Sequence, residues 1–137
     1  MVHLRRDHLL VMVDDSEDEL WMAHTCFQMA KLSNPWQSFS TVMPFMDYLS
    51  TAKRGTAALP GLVLLDINMP QLSGFDVLDK IRSDTGLASA LTIALFTNSE
   101  NPRDRDKAIR LGAAGIFVKP PDIDSYVRFF VELARPE

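Results

Sequence analysis

Four apolar residues, Leu62-Val63-Leu64-Leu65, run straight into the carboxylate of Asp66, and Pro70 follows four positions later. No other stretch restricts the fold as much. A run this short and uniformly apolar, entered through Pro60-Gly61, fits a strand buried on both faces of a parallel sheet. Asp66 then stands at the strand's carboxyl end, where open α/β sheets gather their ligand sites. Taken alone, Asp66 is more simply a helix cap or a turn residue. The rest of the chain decides.

A second short apolar run, 9–13, ends in the acidic pair Asp14-Asp15. Ser16 with Glu19 three residues on has the pattern of a capping box, and Leu20, Ala23, Phe27 and Ala30 recur at helical spacing. Asn34-Pro35 breaks that helix, and 36–42 reads as a mostly polar strand near a sheet edge. Pro44 suits the first turn of a second helix carrying Phe45, Met46 and Leu49, with Gly55 as its stop. Ser73 and Asp76 cap a third helix with Phe75, Leu78 and Ile81 on one face.

Residues 91–96 form a fourth strand that runs into Thr97-Asn98-Ser99. Asn101-Pro102 opens a heavily charged fourth helix whose core contacts are expected from Ala108, Ile109 and Leu111, and Gly112 closes it. Gly115 to Val118 is a fifth strand ending in Lys119-Pro120-Pro121. In the last helix, Ile123, Val127, Phe130, Val131 and Ala134 are expected to face the core. Tyr126, Phe129 and Leu133 fall on a flank and are expected to form an association surface. The alternative is that Tyr126 and Leu133 only widen the core stripe.

Strand and helix alternate five times, which calls for a parallel sheet wound with helices on both sides. The expected fold is the flavodoxin-like (βα)5 arrangement, strand order 2-1-3-4-5, in one domain of 137 residues. Asp14-Asp15, Asp66, Thr97 and Lys119 each follow directly on an expected strand, so they share one edge of the sheet. One site explains them better than four separate caps and turns.

Composition excludes several function classes. A net charge of -4 argues against non-specific nucleic-acid binding, which needs a basic surface. No apolar run approaches the roughly 18 residues of a membrane span, and 9–13 is too short for a signal-peptide core. A single cysteine, Cys26, excludes an internal disulfide and fits a reducing cytoplasm. His3, His8 and His24 lack partners at metal-ligand spacing and read as ordinary polar residues.

Three carboxylates converging in a shallow cleft repel one another without a cation, and hard oxygen donors with room for water suit Mg²⁺. Lys119 offers a point charge, and Thr97 a hydroxyl, to phosphoryl oxygens. A carboxylate, a metal and a cation together specify phosphoryl transfer to Asp66, giving an acyl phosphate.

With these residues in this order, the chain resembles the receiver domains of two-component response regulators over essentially its whole length. The elements that carry the resemblance are Asp14-Asp15, Asp66 in an LLDINMP setting followed by Ser73-Gly74, Thr97 ending strand four, and Lys119-Pro120. The resemblance implies that Asp66 is the phospho-acceptor and that its donor is a phosphohistidine on a sensor histidine kinase. It implies Mg²⁺ bound directly by Asp15, Asp66 and the Asn68 backbone carbonyl, with Asp14 acting through water. It also implies phosphoryl contacts from Thr97 and Lys119, with Asn98 beside them, and a cis Lys119-Pro120 bond. The acidic corner at 13–18 is similar to that of stand-alone receivers paired with bacterial phytochromes. The expectation is thus a cytoplasmic, non-enzymatic receiver without an output domain, with a homodimer or partner face on the fourth helix, fifth strand and fifth helix.

Two positions depart from the family. Where Tyr or Phe usually stands three residues before the lysine, this chain has Ile116, with Phe117 expected on the other face of the strand. Asn98 replaces the small residue common after the threonine. Three other readings stay open: a pseudo-receiver that is never phosphorylated, a haloacid dehalogenase-type phosphohydrolase, and a flavin carrier. Asn68 weighs against the second, since that class carries an acid two residues past its nucleophile and an amide cannot exchange a proton at neutral pH. The acidic first corner weighs against the third.

Overall fold

The computed structural model describes residues 2–70, 72–87, 90–98 and 100–135. The elements alternate without exception: β1 Leu10–Val13, α1 Glu17–Met29, β2 Trp36–Phe39, α2 Val42–Lys53, β3 Leu62–Asp66, α3 Gly74–Ser83, β4 Ile93–Thr97, α4 Pro102–Arg110, β5 Gly115–Val118 and α5 Ile123–Leu133. The strands form one parallel sheet in the order β2-β1-β3-β4-β5. This is the flavodoxin-like topology.

Successive side chains on a strand point to opposite faces, so each central strand feeds two cores. Val11, Val13, Val63, Leu65, Ile93 and Leu95 pack with Phe45 and Leu49 of α2 and with Val77, Leu78 and Ile81 of α3. Leu10, Met12, Leu62, Leu64 and Phe96 pack on the other face against Ala23 and Phe27 of α1 and Tyr126 and Phe130 of α5. Every residue of β1, β3 and β4 is buried, which is why their sequences read as continuous apolar runs. The strand ends are therefore fixed on both sides, and whatever follows them is held firmly in place.

Local chemistry sets the helix boundaries. The Ser16 hydroxyl accepts from the Glu19 amide at 3.1 Å, and Ser73 and Asp76 form a complete capping box. Asn101 caps α4 with Pro102 behind it, and Asp122 caps α5. Gly55 and Gly112, with φ of 84° and 95°, occupy the left-handed region just past α2 and α4. Among the described residues no helix is long and apolar enough to cross a membrane.

Several expectations are corrected. β2 ends at Phe39, short of the expected 42, and α2 begins at Val42, with Pro44 in its first turn as expected. Ile109 is 57% exposed, leaving Ala108 as the buried residue of α4. In α5 the core stripe is Tyr126, Phe130 and Leu133, at i, i+4 and i+7, whereas Ile123 and Val131 face solvent. The cause is aromatic packing: Tyr126 meets Phe96 edge-on at 5.9 Å, which turns the helix toward that flank. Tyr126 and Leu133 therefore cannot form a free association surface. Phe129 is half-buried, stacked on Phe96 at 5.1 Å and edge-on to Phe117.

Candidate functional site

Asp14 follows β1, Asp66 ends β3, Thr97 ends β4 and Lys119 follows β5. These are the buried polar or charged residues among those described, and they gather at the carboxyl edge of the sheet. Asp15 sits beside them but is exposed. Asp14, Asp15 and Asp66 each bring a carboxylate oxygen within 4.8 Å of the others.

The first corner is tied down by its own backbone. One Asp14 oxygen accepts from the Ser16 amide at 2.9 Å, and the other lies 2.6 Å from Lys119 Nζ. The same ammonium lies 3.5 Å from Asp66 Oδ1. The Lys119 amide donates to the Thr97 carbonyl at 2.6 Å, which holds the β5 corner against β4. The Lys119-Pro120 bond is trans, contrary to the cis bond expected. Trans is favoured by about 0.5–1 kcal/mol before proline, and here it already lets Lys119 reach both carboxylates.

Gly74 explains the spacing from Asp66 to α3. A Cβ there would fall 2.2 Å from the Asp66 carbonyl oxygen, so the helix start can lie against this strand end only with glycine. The Gly74 amide donates to Ile67 at 2.8 Å, closing the loop.

Asp66 is the less satisfied of the two buried acids, with a long 3.4 Å contact from the Asn68 amide. Burial pushes its pKa up to about 6; Lys119 pulls it back and the Asp14 charge adds to the rise. For Lys119, burial alone would lower the pKa, but the hydrogen bond and charge of Asp14, with Asp66 and Glu19, outweigh it and raise it.

This donor set fits a divalent cation. Three carboxylates against one ammonium leave an excess of negative charge, all donors are hard oxygens, and the exposed Asp15 keeps the cleft open to water. Asp14, already held by Lys119 and the Ser16 amide, is the least free of the three. Such an ion, when bound, would supply positive charge at the mouth of the cleft beside Asp66.

The remaining sequence-derived residues fall as follows. Asn68 and Asn98 are exposed at the rim. Ile116 packs on the α3 face and Phe117 on the α5 face, opposite each other as their alternation required. Glu19 had been visible only as a capping residue. Instead of closing the box, its carboxylate accepts a hydrogen bond from the buried Tyr126 hydroxyl and joins α1 to α5. No sequence signal marks that pair, because 107 residues separate its members.

A family match runs from residue 10 to residue 128 and takes in all of these positions. The chain belongs to the response regulator receiver domain family. Response regulator PleD of Caulobacter vibrioides is 31% identical over 113 residues, covering 82% of this receiver but only 23% of PleD. The receiver thus spans about a quarter of that relative's length. Among solved structures, RPA3017, a response regulator in red light signaling of R. palustris, superposes with a TM-score of 0.82 at 28% identity, over 92% of this chain and 90% of its own. The bacteriophytochrome response regulator RtBRR gives 0.74 at 26%, over 95% and 80%. The Mn(2+)-bound form of Rcp1 shares the fold with a TM-score of 0.76 at 18% identity, over 91% and 90%.

Proposed function

We propose that this receiver accepts a phosphoryl group on Asp66 from a phosphohistidine of a sensor histidine kinase, with Mg²⁺, and signals through contacts that depend on phosphorylation. The observation that carries this reading is Asp66 itself. It is a buried strand-end carboxylate with two further acids within 4.8 Å and an ammonium 3.5 Å away. In the transfer, the donor's N–P bond breaks with its electron pair staying on nitrogen. An O–P bond forms at Asp66, and the imidazole takes a proton from solvent.

Asp15, Asp66 and the Asn68 carbonyl would hold the metal, with Asp14 acting through water. The engagement of Asp14 by Lys119 at 2.6 Å supports that division. Thr97 and Lys119 would take the phosphoryl oxygens, beside Asn98. The likeness to RPA3017 and RtBRR supports a phytochrome-like kinase as donor, and membership of the receiver family supports a cytoplasmic setting. Exposed Ile109, Val118, Ile123 and Val131 supply the apolar surface of an α4–β5–α5 face for a homodimer or target, in place of Tyr126, Phe129 and Leu133.

The reading is tested by mixing the receiver with radiolabelled, autophosphorylated kinases. Label should leave one kinase and appear on the receiver in a hydroxylamine-sensitive acyl phosphate. Label that resists hydroxylamine, or that transfers equally to Asp66→Asn, would contradict it.

A further inference from the structure

We propose that the apolar cavity between the start of α2 and the β3–α3 loop seats an apolar side chain of the protein that hands its phosphoryl group to Asp66. This inference rests on the reading of Asp66 as the acceptor. The cavity has a volume of about 250 Å³; its apolar wall is Val42, Met43, Met69, Pro70 and Leu72, and the polar Asp15, Ser40 and Thr41 complete the lining. It lies below the roughly 300–1,000 Å³ of small-molecule pockets, which suits one side chain. Met43 is 68% exposed although α2 buries Phe45, Leu49 and Ala52 on its other face. Two methionines at the mouth give a surface that reshapes around what enters it.

Continuity with the acceptor site identifies the occupant. Asp15 belongs both to the cavity wall and to the acidic set, and its carboxylate lies within 4.8 Å of that of Asp66. A protein donor must bring phosphorus to bonding distance of Asp66. Even a single helix is about 10–12 Å across, so its body covers Asp15 and the cavity mouth beside it. The groove at Trp21, His24 and Trp36, by contrast, is lined by none of the three acids. The donor loses its N–P bond and Asp66 gains the O–P bond as described above. The cavity contributes only the placement of the donor.

The inference is tested with wild type, Met43→Glu and Met43→Leu against two donors. One is phosphoramidate, which offers an N–P bond without any protein. The other is the phosphorylated histidine kinase that labels the wild type fastest. Burying an apolar side chain is worth enough that Met43→Glu should lower kcat/KM for the kinase by about tenfold or more, chiefly through KM. Met43→Leu should restore it, and all three proteins should react equally with phosphoramidate. Unchanged kinase transfer in Met43→Glu overturns the inference, as does a matching loss with phosphoramidate, which would make Met43 part of the acceptor site. A loss of self-association in Met43→Glu with kinase transfer intact would assign the cavity to a second copy of the chain, again overturning it. Wild type that takes phosphate from phosphoramidate but from no kinase overturns the inference alone. Wild type inert to both donors sinks the acceptor reading itself.

Discussion

Replacing Asp66 by asparagine should stabilise the metal-free protein at neutral pH. The folded-state pKa of Asp66 is pushed up to about 6 from an unfolded value of 3.8. A group raised on folding contributes stability that is present below its unfolded pKa and lost as pH rises through its folded one. At about 1.36 kcal/mol per pKa unit, ionised Asp66 costs the native state at most about 3 kcal/mol near pH 7.5. The attraction to Lys119 is already contained in that figure, so asparagine, which removes the cost and keeps only a neutral contact, should give a net gain of about 1–3 kcal/mol. For a chain of this size that raises Tm by roughly 3–10 °C. Calorimetry in EDTA at about pH 7.5 and about pH 4.5 measures it, with the difference expected to shrink at the lower pH. A variant less stable than wild type at neutral pH, or a difference that ignores pH, would refute the electrostatic account. Adding Mg²⁺ should narrow the gap, because the ion binds the wild-type carboxylates in the folded state.

Lys119→Ala leaves Asp14 buried without its cation, so chemical denaturation should show a loss of about 3 kcal/mol or more. Gly74→Ala drives a Cβ into the Asp66 carbonyl and should cost about 1–3 kcal/mol, with slower phosphorylation by small donors. Wild-type stability and rate in that variant would contradict the close approach. Tyr126→Phe keeps the ring between Phe96 and Phe130 but strips Glu19 of its buried donor, at about 1.5–3 kcal/mol in denaturant titration. Phosphorylation by small donors should be unaffected.

The central strands and the acidic edge were legible because burial on both faces leaves a plain mark, a continuous apolar run cut short by a polar residue. That mark put Asp14, Asp66, Thr97 and Lys119 on one sheet edge, where the structure has them. Helix phase was harder to read. In α5 both candidate stripes are apolar, and the choice between Val131 and Leu133 depends on Phe96, a residue of another element. Glu19 and Tyr126 were illegible as a pair for a similar reason, since each has an adequate local explanation. The Met43 cavity combines the start of α2 with the β3–α3 loop, which share no periodic pattern. The Lys119-Pro120 geometry came from resemblance, and the chain's own contacts are met by the trans bond.

On the proposed function, Asp66 is the acceptor and needs a divalent ion. Intact-mass spectrometry of the protein with acetyl phosphate tests it most directly, in Mg²⁺ or EDTA and with Asp66→Asn in parallel. Wild type should gain a single phosphoryl group in Mg²⁺ and essentially none in EDTA, and the variant should gain none in either. A phosphoryl group on Asp66→Asn, or full modification in EDTA, would contradict the account.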